Sequence, residues 1–145
     1  MKSVDVTTWP HPGFATDLQS QFVALMTQAT GISIVSEAVF ENRFRHVEEL
    51  RKLGANIKVE GRSAIVRGPS ALKGTHVSIP DIRSGAALLV AGLCAEGVTE
   101  CDGVYHLDRG YEHLDEKLQS LGAKVHRIQV AETEKARNMS GVVGD

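Results

Sequence analysis

Only two cysteines occur in the 145 residues, Cys94 and Cys101. Neither has metal-ligand spacing around it, so both read as small buried hydrophobes of a reducing compartment rather than as a disulfide or a zinc site. No run of lysine or arginine stands out. The net charge is −2 and the pI about 6.3, which argues against a nucleic-acid binder that works by neutralising phosphates. The longest apolar run, Gly85 to Ala95, is too short to span a bilayer and has no basic segment before it. Neither secretion nor membrane insertion is expected, and the expected location is the cytoplasm. A phosphate-cradling glycine loop and a Ser-His-Asp set are also missing, and the six histidines show no ligand spacing. No metal or cofactor is therefore expected.

What is present is an ordinary globular composition, 42% hydrophobic and 23% charged, on a chain of about one domain's length. Val4 and Val6 alternate with polar neighbours as a short strand, and the loop Trp9 to Gly13 follows. Thr16-Asp-Leu-Gln19 has the form of a capping box opening a helix whose apolar face is Leu18, Phe22, Leu25, Met26 and Ala29. A strand is expected over Ile32 to Ser36, a helix over Phe44 to Leu53, and a hairpin from Ile57–Val59 and Ala64–Val66 turning at Glu60-Gly61. Beyond Gly68-Pro69 the pattern starts again. Thr75 to Ile79 is a strand, Asp81 opens a helix with an almost wholly apolar body, and Val98 to Cys101 and Lys124 to Ile128 are strands. Between these two lies an amphipathic helix carrying Leu114, Leu118 and Leu121. From Ala131 the chain turns small and polar, and a loosely ordered tail is expected over 131–145.

The restart is a duplication. Asp17-Leu-Gln-Ser20 matches Asp81-Ile-Arg-Ser84 at an offset of 64, Gly31-Ile-Ser matches Gly97-Val-Thr at 66, and Leu53-Gly-Ala matches Leu121-Gly-Ala at 68. The period suits a βαβαββ unit used twice, repeat one at about 3–68 and repeat two at about 74–130. Alternating strands and helices require crossover connections, hence an α/β fold with parallel strand pairs covered by helices.

The candidate site residues are polar groups at matching ends of the two repeats: Asp17, Asp81, Arg83, Asp108 and Arg109. Each has a plain structural alternative. Asp17 and Asp81 stand where a carboxylate favours a helix start, Arg83 where a first-turn surface arginine often sits, and Arg109 beside Asp108 and Glu112, with which it has the option of pairing.

These residues also carry a resemblance. Pro10-His-Pro-Gly-Phe-Ala-Thr-Asp-Leu-Gln19, Val39-Phe-Glu-Asn-Arg-Phe44, Asp81-Ile-Arg83 and His106-Leu-Asp-Arg-Gly-Tyr-Glu112 are similar, in order, to the UDP-N-acetylglucosamine 1-carboxyvinyltransferases, a family of enolpyruvyl transferases. The similarity runs from about Val4 to Ile128. It implies an inside-out α/β barrel in which each of two lobes holds three βαβαββ repeats, of which this chain has about two. It also implies transfer of an enolpyruvyl group from phosphoenolpyruvate to the 3′-hydroxyl of UDP-N-acetylglucosamine, the first committed step of peptidoglycan synthesis. By the resemblance, Asp17 is the base beside the sugar hydroxyl, and Thr16, Val39 and Phe40 hold the nucleotide-sugar. Arg109 clamps phosphoenolpyruvate, and Asp81 with Arg83 lines the same cleft.

The chain departs from that family in length: it corresponds to the last third, without the reactive-cysteine loop, the early Lys-Asn pair or the other phosphoenolpyruvate-binding arginines. Cys94 and Cys101 are not that cysteine. Catalytic inertness of the isolated chain is the expectation, with the rest of an enzyme (the missing lobe and repeat) as its partner. Two other readings stay open: a stand-alone non-catalytic module of the same fold, and a part of 3-phosphoshikimate 1-carboxyvinyltransferase.

Overall fold

The computed structural model describes residues 1–129 and 140–144. Strand β1 (Val6–Thr7) leads through a 3-10 turn (Thr16–Leu18) into helix α1 (Gln19–Met26). There follow β2 (Gly31–Ser36), α2 (His46–Lys52), β3 (Asn56–Glu60) and β4 (Ser63–Gly68). The second half runs β5 (His76–Ser78), α3 (Ile82–Cys94), β6 (Val98–Asp102), a short helix α4 (Tyr105–Asp108), α5 (Leu114–Ser120), β7 (Val125–Arg127) and β8 (Ser140–Gly144).

The strands form two sheets of the same order, β1-β2-β4-β3 and β5-β6-β8-β7. In each, the first pair is parallel and joined by a helical crossover, and the last two strands run antiparallel to their neighbours. The duplication legible as sequence offsets is therefore also a duplication of strand topology. The β3–β4 hairpin closes over Gly61-Arg62, one residue beyond the expected turn, and Gly61 supplies the positive φ of 57° that a tight hairpin turn needs.

The helices of the two halves share one core. Val23, Ala24 and Met26 of α1 meet Ala87, Leu88 and Ala91 of α3, with Val47 and Leu50 of α2 and inward residues of both sheets, such as Val35, Val66, Val77 and Cys101, in the same buried cluster. Gly85 lets α4 lie close on α3: a Cβ there would stand 2.8 Å from both Leu107 and Ile79. Cys101 is buried, and desolvation, followed by the nearby carboxylates of Asp102 and Glu49, pushes its thiol up to about 12.

Several expectations are corrected. The helix opening at Gln19 buries Gln19, Ser20, Val23, Ala24 and Met26, while Leu18 and Leu25 are about half exposed. Two polar residues face inward because partners wait there. Thr16 and Gln19 form no capping box; their side chains bond elsewhere. Cys94 is exposed. Leu121 lies beyond the end of α5 and is exposed. The expected tail over 131–145 is overturned at Ser140–Gly144, which form β8 between β6 and β7, the closing strand of the second unit. Its remaining residues lie outside those described.

Leu88 is fully buried where the two halves meet. Leu88→Ala should lower unfolding free energy by about 2–5 kcal/mol, measured as a fall in the urea midpoint at unchanged slope.

Candidate functional site

The starts of α1 and α3 face each other across the seam between the halves. Asp81 caps α3: its carboxylate accepts from the Ser84 amide and the Ser84 hydroxyl, both at 2.9 Å. Burial pushes the Asp81 carboxyl up, but these bonds, with the nearby Arg45 charge and the Arg83 amide, outweigh it and hold it below its ordinary value. Asp17, its counterpart by sequence offset, caps nothing. It lies in the 3-10 turn and ion-pairs with Arg83, Nε to Oδ1 at 2.6 Å, with two-thirds of its side chain open to solvent. The Ser20 hydroxyl also crosses the seam, donating to the Arg83 carbonyl at 2.9 Å. So Asp17, Asp81 and Arg83, separate in sequence, are brought together.

Thr16, Val39 and Phe40 converge on a residue absent from the expected set. Glu37, 2% exposed, follows the end of β2. Its carboxylate accepts from the Thr8 hydroxyl (2.6 Å), the Thr16 hydroxyl (2.7 Å), Gln19 Nε2 (3.2 Å) and the amides of Val39 (3.1 Å) and Phe40 (3.3 Å). Desolvation raises its carboxyl, yet the bonds from Thr16, Thr8, Val39 and Phe40 together prevail and hold it below its ordinary value. With its backbone fixed there, the Phe40 ring projects outward, about half exposed, and the Arg43 guanidinium stacks 4.4 Å from its centroid. Phe40 and Arg43 line an open hollow of about 770 Å³ with Arg45, Arg51 and Arg62.

Beside it a cleft of about 200 Å³ is lined by Thr16, Gln19, Arg43, Arg45, His46, Asp81, Arg83 and Ser84. Gln19 Nε2 donates to Glu37 and to the Arg43 carbonyl. That fixes the amide's orientation and leaves its buried Oε1 without a donor; the buried His46 Nε2 also lacks a partner among the described residues. Burial lowers the His46 imidazole to about 4 against an opposing pull from Asp81, so at neutral pH it is uncharged. Three guanidinium groups at one small polar cleft suit an anionic ligand.

Arg109 stands apart, lining a different hollow with Tyr111, Glu112 and His113. Asp108 does not pair with it. Arg127 takes both Asp108 oxygens, at 2.9 and 2.8 Å, and reaches Asp115 as well. Arg109 is exposed and has no ion-pair partner among the described residues. Its neighbour Gly110 packs against Ile82, the residue before Arg83, which ties this turn to the start of α3.

Sequence reasoning missed Glu37, Gln19, His46 and Arg43 as site residues. Only Gln19 and Arg43 fell within segments already singled out; a glutamate at a strand end and a histidine opening a helix carry no local signal of burial.

The chain is similar to known proteins over most of its length. The profile of the EPSP synthase (3-phosphoshikimate 1-carboxyvinyltransferase) family matches residues 1–118. A UDP-N-acetylglucosamine 1-carboxyvinyltransferase 2 of Shouchella clausii is 56% identical over 133 residues, which are 92% of this chain and 31% of that protein. A UDP-N-acetylglucosamine 1-carboxyvinyltransferase 1 of Caldanaerobacter subterraneus is 56% identical over 126 residues, 87% of this chain and 30% of that protein. The chain thus spans about a third of the length of the curated relatives it matches. Among solved structures, the enolpyruvyl transferase NikO of Streptomyces tendae superposes with a TM-score of 0.82 at 33% identity, covering 90% of this chain and 30% of that one. An EPSP synthase of Acinetobacter baumannii shares the fold at a TM-score of 0.64 and 19% identity, covering 88% of this chain and 28% of its own.

The buried imidazole makes a pH prediction. His46 has its folded-state value depressed from 6.5 to about 4, so the unfolded chain binds the extra proton first as pH falls. Its stabilising contribution is full above pH 6.5 and is lost progressively down to about 4, on the order of 3 kcal/mol in all. In His46→Leu, urea unfolding followed from pH 7 to 5 should lack that part of the slope.

Proposed function

The chain belongs to the EPSP synthase family, and on that premise we propose that it is the C-terminal part of a UDP-N-acetylglucosamine 1-carboxyvinyltransferase. In this reading it acts in the cytoplasm, in the first committed step of peptidoglycan synthesis. The observation that carries the reading is the convergence, within the first repeat, of Thr16 and Asp17 with Val39 and Phe40 through Glu37, with Asp17 held across the seam by Arg83 of the second repeat. Relatives more than 50% identical over this stretch bear that enzyme's name, whereas the likeness to the solved EPSP synthase is at 19% and speaks for fold alone.

The chemistry needs a hydroxyl made nucleophilic as it attacks. Asp17 is the base: as the sugar 3′-oxygen bonds to the central carbon of phosphoenolpyruvate, the hydroxyl proton passes to the carboxylate, and the methylene carbon takes a proton from an acid in the remainder of the enzyme. The adduct is tetrahedral, and it collapses as phosphate leaves the central carbon and the methyl carbon returns a proton, which restores the carbon–carbon double bond. The Arg83 guanidinium fixes the direction of the Asp17 carboxylate before substrate arrives. Phe40 offers a ring face beside a cation to the nucleotide end of the acceptor sugar, with Val39 and Thr16 at its side. Arg109, exposed and without an ion-pair partner among the described residues, is placed to take a phosphate or carboxylate of phosphoenolpyruvate in a forked contact. Asp81 anchors the helix start from which Arg83 projects. No metal or cofactor enters this scheme.

The partner is the remainder of the enzyme, a second lobe and a third repeat. Phosphate release from phosphoenolpyruvate and UDP-N-acetylglucosamine should be absent with the chain alone; turnover there would overturn its dependence on further residues. Joined in one polypeptide to the N-terminal part of the Shouchella clausii relative, it should support release, and a folded hybrid without activity counts against the assignment. In that hybrid Asp17→Asn should cut turnover by roughly 10²–10⁴ with little change in melting temperature, since its side chain is largely exposed.

A further inference from the structure

We propose that Glu37 is the positioning residue of the nucleotide-sugar site, the single group that sets the Thr16-Asp17 turn and the Val39-Phe40 loop relative to each other. The ligand named here rests on the function proposed above; the positioning rests on geometry alone. Glu37 is 2% exposed and has no cation partner among the described residues. An ionised carboxylate so placed is tolerated only when its lone pairs are filled by donors. They are filled from four separate places in the chain. Oε1 takes Thr16 and Gln19; Oε2 takes Thr8, the Val39 amide and the Phe40 amide. Thr8 in turn accepts from the Ala38 amide at 3.0 Å, so three successive residues of the loop hang on one network. Every donor is neutral. A glutamine would have the same shape but would turn its amide NH2, a donor, toward hydroxyl and amide donors, and part of the set would lose its acceptor.

A role confined to general stability and a positioning role separate in the measurement. In the complete chain carrying Glu37→Gln, hydrogen exchange at the Val39 and Phe40 amides should quicken about tenfold, while the β2–β4 ladder amides of Ser33 and Val66, which stand opposite each other, keep wild-type protection. Affinity for UDP-N-acetylglucosamine, titrated against the Phe40 ring resonances, should fall by about tenfold. Thr16→Val cuts one link only: the Leu18 amide, which bonds Ala15 in the 3-10 turn, should exchange faster while Val39 and Phe40 stay protected. Unchanged exchange at Val39 and Phe40 in Glu37→Gln, or equal acceleration along the ladder, overturns the proposal. If Glu37→Gln does not fold, an unaltered Leu18 amide in Thr16→Val overturns it. Failure of the wild-type chain to bind UDP-N-acetylglucosamine would refute the ligand assignment, and the exchange measurements would still decide the positioning.

Discussion

A negative charge out of reach of water has to be answered by donors held in place, and at Glu37 that requirement shapes much of the first repeat. It explains why α1 begins with a glutamine, Gln19, facing inward. It explains why Thr16 gives its hydroxyl to a distant carboxylate instead of capping its own helix. It also explains why the chain after β2 leaves the sheet in a tight loop, since successive amides must point at one group. The outward presentation of Phe40, and the stacking of Arg43 upon it, follow from that backbone.

The second repeat has the same strand order with no such centre among its described residues, and its matching positions have taken other work. Asp81 does what a carboxylate at a helix start ordinarily does, satisfying an amide and a hydroxyl three residues on. Asp17, freed from capping because a 3-10 turn precedes its helix, is left exposed for an arginine supplied by the other copy. The division is economical. One copy uses its acid to cap a helix, the other leaves it exposed and ion-paired, and the seam between them joins the two through Arg83 and Ser20.

What sequence could reveal depended on the distance over which the cause acts. The Asp81 cap spans three residues and was legible; so were the alternating strands β2 and β4 and the buried character of α3. The Asp17–Arg83 pair spans 66 residues, and the Glu37 network gathers donors from 2 to 29 residues away. No periodicity reports such contacts. The apolar face of α1 was legible at Phe22, Met26 and Ala29; Leu18 and Leu25 instead face solvent, while Gln19 and Ser20 turn inward to partners far away in sequence. Strand β8 was missed since Ser140-Gly-Val-Val-Gly144 shows neither alternation nor length, and its placement comes from the sheet edges that receive it.

The position of β8 bears on the order in which the molecule assembles. In the first sheet the interior strand β4 arrives already zipped to its edge neighbour, since only two residues separate it from β3. In the second sheet β7 pairs with β8 alone, and residues 128–139 lie between them. A ribosome emitting this chain has therefore made β5, β6 and β7 before the strand that joins them exists. Closing that longer loop carries a greater entropic cost than closing the hairpin. The first half can complete its sheet while translation proceeds, but the second stays open at its middle until Gly144 has left the exit tunnel.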